Sequence, residues 1–370
     1  MASQHRAILR IFAFHRILIP VLIGITVIGF MMAGDLSHSD LKSIRIDIQS
    51  IAYFSLAILM VIIRDIAYMY RIRLLTNYAL TWRRAFQVIF LWEFSSSVTP
   101  SVVGGSAVAI FILTKEKLGT GRATATVMVT ALLDEIFYIV LVPLTFLLAG
   151  FERLSVVGQN FNFLGMQLTT MGIFTLGYLL IAFITFLLAY GVFINPEGLR
   201  WLLIKVTKLR ILRRFHEAAG HTGDQILEAS AEFRSKSLGF WLHAALATAF
   251  SWTARFMVVN FLIAGFTYIP AIGDHLLIMA RQLMMWVIML VSPTPGGSGI
   301  AEFFFPVFLR EFIAGTERDI TMIVALAWRL LTYYPYLIIG ALVLPFWLKR
   351  VYLGRKLIKF RRAKSKEQKS

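Results

Sequence analysis

Cysteine is absent from the 370-residue sequence. That excludes disulfides, thiolate-held zinc, iron–sulfur clusters and cysteine nucleophiles. Charge is scarce too: Asp, Glu, Lys and Arg make up 15% of the chain, against roughly 25% in an ordinary soluble domain. With 58% hydrophobic residues and a mean hydropathy of +0.74, the chain cannot cover itself with a polar surface, so cytosolic enzymes and secreted modules are ruled out. Chemical signatures are equally sparse. There is no Gly-x-x-x-x-Gly-Lys-Ser nucleotide loop, and Gly119-Thr120-Gly121 is too short for a dinucleotide fingerprint. The seven histidines are scattered, and His243 and His275 have no second ligand type three or four residues on. No metal site, cofactor or catalytic residue is therefore expected. Asp134 and Glu135 are adjacent carboxylates, but neighbours on a helix point about 100° apart and do not form a shared-proton dyad by themselves.

What the sequence does have is long apolar runs. A helix crossing about 30 Å of hydrocarbon needs about 20 apolar residues, and six stretches qualify: 14–33, 47–70, 122–150, 166–195, 238–266 and 320–348. The basic N-terminus before the first stretch resembles a signal peptide, but the run is long enough to be a retained helix. Two further apolar regions, 83–114 and 274–313, are each interrupted near the middle. The interruptions are Thr99-Pro100-Ser101-Val102-Val103-Gly104-Gly105 and Ser292-Pro293-Thr294-Pro295-Gly296-Gly297-Ser298-Gly299. Proline removes a backbone donor and adjacent glycine favours a turn, so neither region is expected to be one continuous helix.

Net charge is +17, with 37 Lys and Arg against 20 Asp and Glu. The placement of the cations orients the chain. With the N-terminus inside, 29 of the 37 fall in 1–16, 64–84, 115–122, 197–236 and 349–370, and 5 fall in the segments assigned outside. The other three, Arg255, Arg281 and Arg329, lie within apolar helices. Six spans already return the tail to the cytoplasm, so each interrupted region must start and finish on one side. Region 83–114 then reads as a re-entrant hairpin entering from the cytoplasm and 274–313 as one entering from outside, each followed by a full span. Such inverted units with broken helices are a transporter arrangement. Non-helical backbone at that depth must be surrounded by protein or line a watery cavity, which places a polar cavity at the two elbows. The plainer alternative is a pair of kinks in tilted spans.

Ionisable groups inside apolar spans cost at least about 2.5 kcal/mol each at the bilayer centre unless paired or solvated. They are Glu93, Asp134, Glu135, Arg255, Arg281, Glu302 and Arg329. Glu93 precedes the first elbow and Glu302 follows the second, on limbs that would line the cavity. Asp134 lies 12 residues beyond Arg122 and Arg329 lies 11 beyond Arg318, comparable depths from opposite faces. Ion pairs that only hold the bundle together are the competing reading. Between the spans, 196–237 forms a cytoplasmic amphipathic linker. In it Leu202, Val206, Leu209, Leu212 and Phe215 share a face beside Lys205, Lys208 and Arg213. Together with the basic tail 349–370, this points to anionic lipid head groups at 200–215 and 349–366 and not to nucleic acid.

At the two elbows the sequence resembles the transmembrane region of the lysylphosphatidylglycerol synthase/flippase family, in the branch of stand-alone, flippase-like membrane proteins. The matching residues run from Thr99-Pro100-Ser101 through Gly104-Gly105, then Leu113-Thr114-Lys115 and Asp134. They resume at Pro293-Thr294-Pro295-Gly296-Gly297-Ser298-Gly299 through Glu302, and again at Arg329-Leu330. The resemblance covers most of the chain. It implies movement or handling of a phospholipid or isoprenoid-linked lipid across the bacterial inner membrane. Many relatives carry Gly-Glu where this chain has Gly105-Ser106, and Arg where it has Ala131. Only 22 residues follow Leu348, so the aminoacyl-transferase domain of the bifunctional members is expected to be missing.

The combined expectation is an all-α polytopic membrane protein of about six spans and two oppositely oriented re-entrant hairpins. Residues 1–348 form a flippase-like domain and 349–370 a cytoplasmic tail; a homo-oligomer is compatible with this organisation. Pro100, Gly104, Gly105 and Ser106, Pro293, Pro295, Gly296 and Gly297, with Asp134, Arg281, Glu302 and Arg329, are expected to line a groove for a lipid head group. A membrane enzyme using Glu302 or Asp134 as acid or base is the runner-up, and an assembly or regulatory scaffold the third reading. Topology is directly testable, because the chain has no native cysteine. A single cysteine at Thr316 should react with membrane-impermeant reagent in intact cells, and one within 196–237 only after permeabilisation; the reverse pattern overturns the orientation.

Overall fold

The computed structural model describes residues 46–353 apart from 100, 151–152, 155–159, 164–165, 209–215, 268–269, 291–293 and 314–319. The span expected at 14–33 and most of the basic tail lie outside the described residues. Short polar residues set where helices begin. Asp47 accepts from the Ser50 N–H at 2.7 Å to open α1 (Ile48–Leu75), and Thr81 accepts from Arg84 N–H to open α2 (Trp82–Val98). Each satisfies a backbone donor that the first helical turn leaves free. α3 (Ser101–Lys115) and α4 (Thr120–Ala149) follow. Next comes a two-stranded antiparallel hairpin, β1 (Asn160–Phe163) with β2 (Met166–Thr169), in which Asn160 pairs with Thr169 and Phe163 with Met166.

Thr169 then caps α5 (Thr170–Ala189), which continues as a π-helical turn at Tyr190–Ile194. The linker folds as α6 (Pro196–Thr207) and α7 (His216–Arg234). The second half of the chain holds α8 (Leu238–Phe266), opened by Ser237, then α9 (Ile272–Leu290) and α10 (Ile300–Leu309). The last span is divided into α11 (Thr321–Thr332) and α12 (Tyr334–Leu348) by a non-helical Tyr333.

The chain is an all-α polytopic membrane protein. Among the described residues five stretches are long and apolar enough to cross a bilayer: Ile48–Leu75, Thr120–Ala149, Thr170–Ile194, Leu238–Phe266 and Thr321–Val351. They fall on five of the six spans read from the sequence. The span expected from 166 begins instead at Thr170, because its first four residues are taken by β2. The helix expected to end near 70 runs on to Leu75. This second difference matters: Arg64 and Arg71, counted above as loop cations, are buried inside α1 and belong with the intramembrane charges. α1 packs along α8, with Ile51, Ile58, Ile62 and Ile66 exposed on its outer face. On α5, Leu176, Leu180, Phe183 and Leu187 are exposed in the same way. Helical spacing of exposed apolar residues on a protein of this composition is a lipid-facing stripe.

Both interrupted regions fold back on themselves. α2 lies against α3 so closely that a Cβ on Gly105 would stand 2.0 Å from Ser96 Oγ, which is why glycine occupies that crossing. α9 lies against α10, with Arg281 Nη1 donating to the Phe308 carbonyl at 3.2 Å. The basic connections are gathered at one end. Glu232 of α7 accepts from Arg122 of α4 at 3.1 Å and from Asn77, and lies 3.3 Å from Lys236. Glu116 accepts from Trp347 Nε1 at 2.8 Å and from Arg350 Nη1 at 2.9 Å. The loops at 76–81 and 116–119, the end of α7 and the end of the last span are thereby tied together. In the linker, Arg200 pairs with Asp224 at 2.6 Å, holding α6 to α7. α6 stops at Thr207, so the apolar face expected through 215 is seen only at Leu202 and Val206, both exposed; Leu209, Leu212 and Phe215 lie outside the described residues.

Candidate functional site

The two elbows meet. Tyr333, the residue that interrupts the last span, donates its hydroxyl to the Ser97 carbonyl at the first elbow (3.2 Å) and accepts from Ser298 Oγ at the second (3.1 Å). Gly296 makes the close approach feasible. It has φ +59°, and a Cβ there would lie 2.4 Å from the Tyr333 ring and 3.1 Å from the Ser97 carbonyl oxygen. A side chain is excluded both by backbone conformation and by space. Two overlapping turns, Gly297 N–H to the Thr294 carbonyl and Ser298 N–H to the Pro295 carbonyl, both at 3.1 Å, shape the second elbow before α10 begins.

Beside this junction is a cavity of about 270 Å³. Ser96, Ser97 and Thr99 line it from the first elbow, and Thr294, Gly296 and Gly297 from the second. Of the site residues expected from the sequence, Ser106, Asp134, Gly296, Gly297 and Arg329 stand on its wall. Gly105 packs against Ser96, Gly104 is in the first turn of α3, and Pro295 supports the turn. Pro100 and Pro293 lie outside the described residues. Glu302 is behind the wall: one carboxylate oxygen takes the Gly299 N–H at 2.6 Å, capping α10, and the other takes Arg329 Nε at 2.7 Å. Both partners of that pair are nearly fully buried. Arg281 does not belong to the cavity. Its two Nη groups bond to Glu311 at 2.8 Å and to the carbonyls of Phe308 and Arg153, fastening α9 to the end of α10 and to residue 153.

The sequence reading missed part of the site. Arg71 of α1 lines the cavity and grips Asp134 with two nitrogens, at 2.5 and 3.2 Å, while also donating to Thr248 at 2.8 Å. Asp134 takes a further bond from Trp252 Nε1 at 2.7 Å. Arg64 donates to Glu93 at 2.6 Å and lies between the rings of Tyr68 and Tyr336. The signal was present: Arg64, Tyr68, Arg71 and Leu75 follow one another at three- and four-residue steps, a single helical stripe continuing beyond residue 70. Asp134 therefore finds its cation on another helix, with Ala131 on the cavity wall one turn away.

Three groups on the wall have unused capacity. Arg255 rests its guanidinium over Trp286 (4.4 Å) and Trp252 (5.2 Å), and no carboxylate among the described residues forms an ion pair with it. Glu135 has one buried carboxylate oxygen with no hydrogen-bond partner, and the buried Tyr138 hydroxyl has none. All three line the cavity.

The model of the lysylphosphatidylglycerol synthase transmembrane region matches residues 17–340. The chain belongs to that family. It is similar to a UPF0104 membrane protein of Archaeoglobus fulgidus, at 24% identity over 290 residues covering 74% of this chain and 79% of the relative. Membership of the lysylphosphatidylglycerol synthase transmembrane-region family makes it a multi-pass membrane protein tied to lipid handling, and both Gly-rich elbows fall inside the matched region.

Three single substitutions and one double test the charge assignments. Arg329→Gln leaves the Glu302 carboxylate buried and unpaired, at a cost of about 3 kcal/mol or more. Poor expression and a lowered Tm in detergent are expected, with recovery in Arg329→Gln/Glu302→Gln. Asp134→Asn strands Arg71 and should also destabilise by about 3 kcal/mol. Glu135→Gln removes a carboxylate oxygen with no donor and should leave Tm unchanged or raise it. Thermal unfolding of the four proteins checks the ordering.

Proposed function

We propose that the protein is a lipid transporter of the flippase type, moving the head group of a phospholipid or isoprenoid-linked lipid through this cavity between the leaflets of the plasma membrane. In this reading α2–α3 and α9–α10 are re-entrant hairpins of opposite orientation, and each forms an inverted unit with the span that follows it. The observation that carries the proposal is the meeting of both elbows on Tyr333 beside one polar cavity. A scaffold has no need of a cavity walled by three arginines and three carboxylates. Transport does: a charged head group requires a polar path while its chains remain in hydrocarbon.

The end at which Glu116 and Glu232 collect their basic partners is the cytoplasmic one, by the charge asymmetry of the chain. There α6 carries exposed Trp201, Leu202 and Val206, with Lys205 Nζ 4.3 Å from the Trp201 ring. This amphipathic surface suits anionic head groups, as does the basic tail.

Reconstitution in liposomes with fluorescent phospholipids and a membrane-impermeant quencher tests the proposal. Purified protein should move label between leaflets faster than empty vesicles, and equal rates refute transport of the lipids tried. Gly297→Leu is the informative variant. Its φ of +67° costs a branched residue about 1–2 kcal/mol, and its nearest neighbour is the flexible Met289 Cε at 3.3 Å. The variant should fold while its side chain fills the cavity, losing most transport. Undiminished lipid movement in folded Gly297→Leu removes the second elbow from the path.

A further inference from the structure

The guanidinium groups on the cavity wall are not equivalent. Arg71 is neutralised by Asp134 and Arg329 by Glu302. Arg255 lies 11 residues before the end of α8, about 17 Å along the axis at 1.5 Å per residue, too deep for its side chain to reach the interface. Its guanidinium rests on two indole faces, which hold a cation in place without neutralising it; Asp65, the carboxylate within its electrostatic reach, is already engaged by Arg64 and by the Tyr336 hydroxyl. Helical spacing puts Trp252 and Arg255 on one face of α8, and Glu135 and Tyr138 on one face of α4. The Tyr138 and Trp252 rings touch edge-to-face at 5.1 Å, joining the two faces. The Tyr138 hydroxyl, on a side chain almost entirely buried, has no partner.

An arginine with no ion-pair partner among the described residues, an unpartnered donor and a polar cavity can together receive an anion. We infer that Arg255, with the Tyr138 hydroxyl, is the oxyanion-binding centre of the cavity, and that the ligand it takes is a phosphate. The planar guanidinium stays stacked on Trp286 while its edge offers N–H donors to phosphate oxygens, a geometry lysine cannot reproduce. The phosphate could belong to a lipid head group or be free inorganic phosphate; the lipid-transport reading bears only on which of these carries it. Glu135, one turn from Tyr138 on α4, is a carboxylate on the same cavity wall, and its negative charge opposes an anion there.

The test is isothermal titration of the full-length protein, in uncharged detergent, with inorganic phosphate and separately with dihexanoyl phosphatidylglycerol. Wild type should bind at least one of them saturably, and Arg255→Gln should weaken that binding about tenfold or more, the loss of a charge-assisted hydrogen bond. Arg255→Lys should fall between. Arg255→Gln strands no carboxylate and is expected to fold, with a Tm close to wild type. Binding of the lipid assigns the site to a head group. Binding of inorganic phosphate alone keeps the oxyanion centre while counting against lipid transport, so the two readings fail separately. No binding by wild type, or equal affinity in folded Arg255→Gln, overturns the inference. If Arg255→Gln does not fold, Glu135→Gln decides: removal of the opposing charge should tighten phosphate binding, and unchanged or weaker binding rejects the site.

Discussion

A guanidinium group deep inside an apolar helix is stable only with a carboxylate or an aromatic face beside it, and the assembly of this bundle follows from that requirement. Arg64 is held by Glu93 between two tyrosines, Arg71 by Asp134, Arg329 by Glu302, and Arg281 by Glu311. Each carboxylate except the Asp65 neighbour of Arg64 comes from a different helix or from beyond a chain break. The pairs therefore act as cross-links: α1 to α2, α1 to α4, α9 to the segment after α10, and α10 to α11. The hydrophobic effect gives no preference for one helix neighbour over another in lipid, where close packing and polar contacts decide. Pairing supplies the choice.

The elbows obey the same economy with backbone groups. A chain that leaves helical geometry within the membrane must find partners for its carbonyls and amides. Tyr333 and Arg329 provide some of them, reaching the Ser97 and Gly296 carbonyls from the last span. Gly296 lets that span come close enough to do so, and Glu302 caps the helix that restarts beyond. The cavity is the space these polar ends leave between them.

Much of this was legible in the sequence, because proline and glycine in an apolar run have few other uses. The interruptions at 99–105 and 292–299 located both elbows, and apolar length located five described spans. The errors share one cause. Basic residues near a span end look like its boundary, which hides Arg64 and Arg71 inside a helix that continues to Leu75. Depth in a span says nothing about the face a residue occupies, so Arg281, at a suitable depth, turns instead to Glu311 beyond α10. Asp134 gave no sign of its partner, since the sequence separation to Arg71 is 63 residues. Periodicity ranks faces within one helix, but which faces meet is decided by helices far apart in the chain.

The Arg64 and Arg71 pairs have a consequence for biosynthesis. Their carboxylates lie 29 and 63 residues downstream, so α1 leaves the ribosome well before α2 and α4 can neutralise it. Until they arrive, Arg71 has no carboxylate and Arg64 has only the adjacent Asp65, an unfavourable state for a helix in hydrocarbon. The charges of α1 are therefore fully paired only once the hairpin and the next span have emerged. A chain interrupted before Asp134 is synthesised would have Arg64 paired and Arg71 without the carboxylate that holds it in the finished protein.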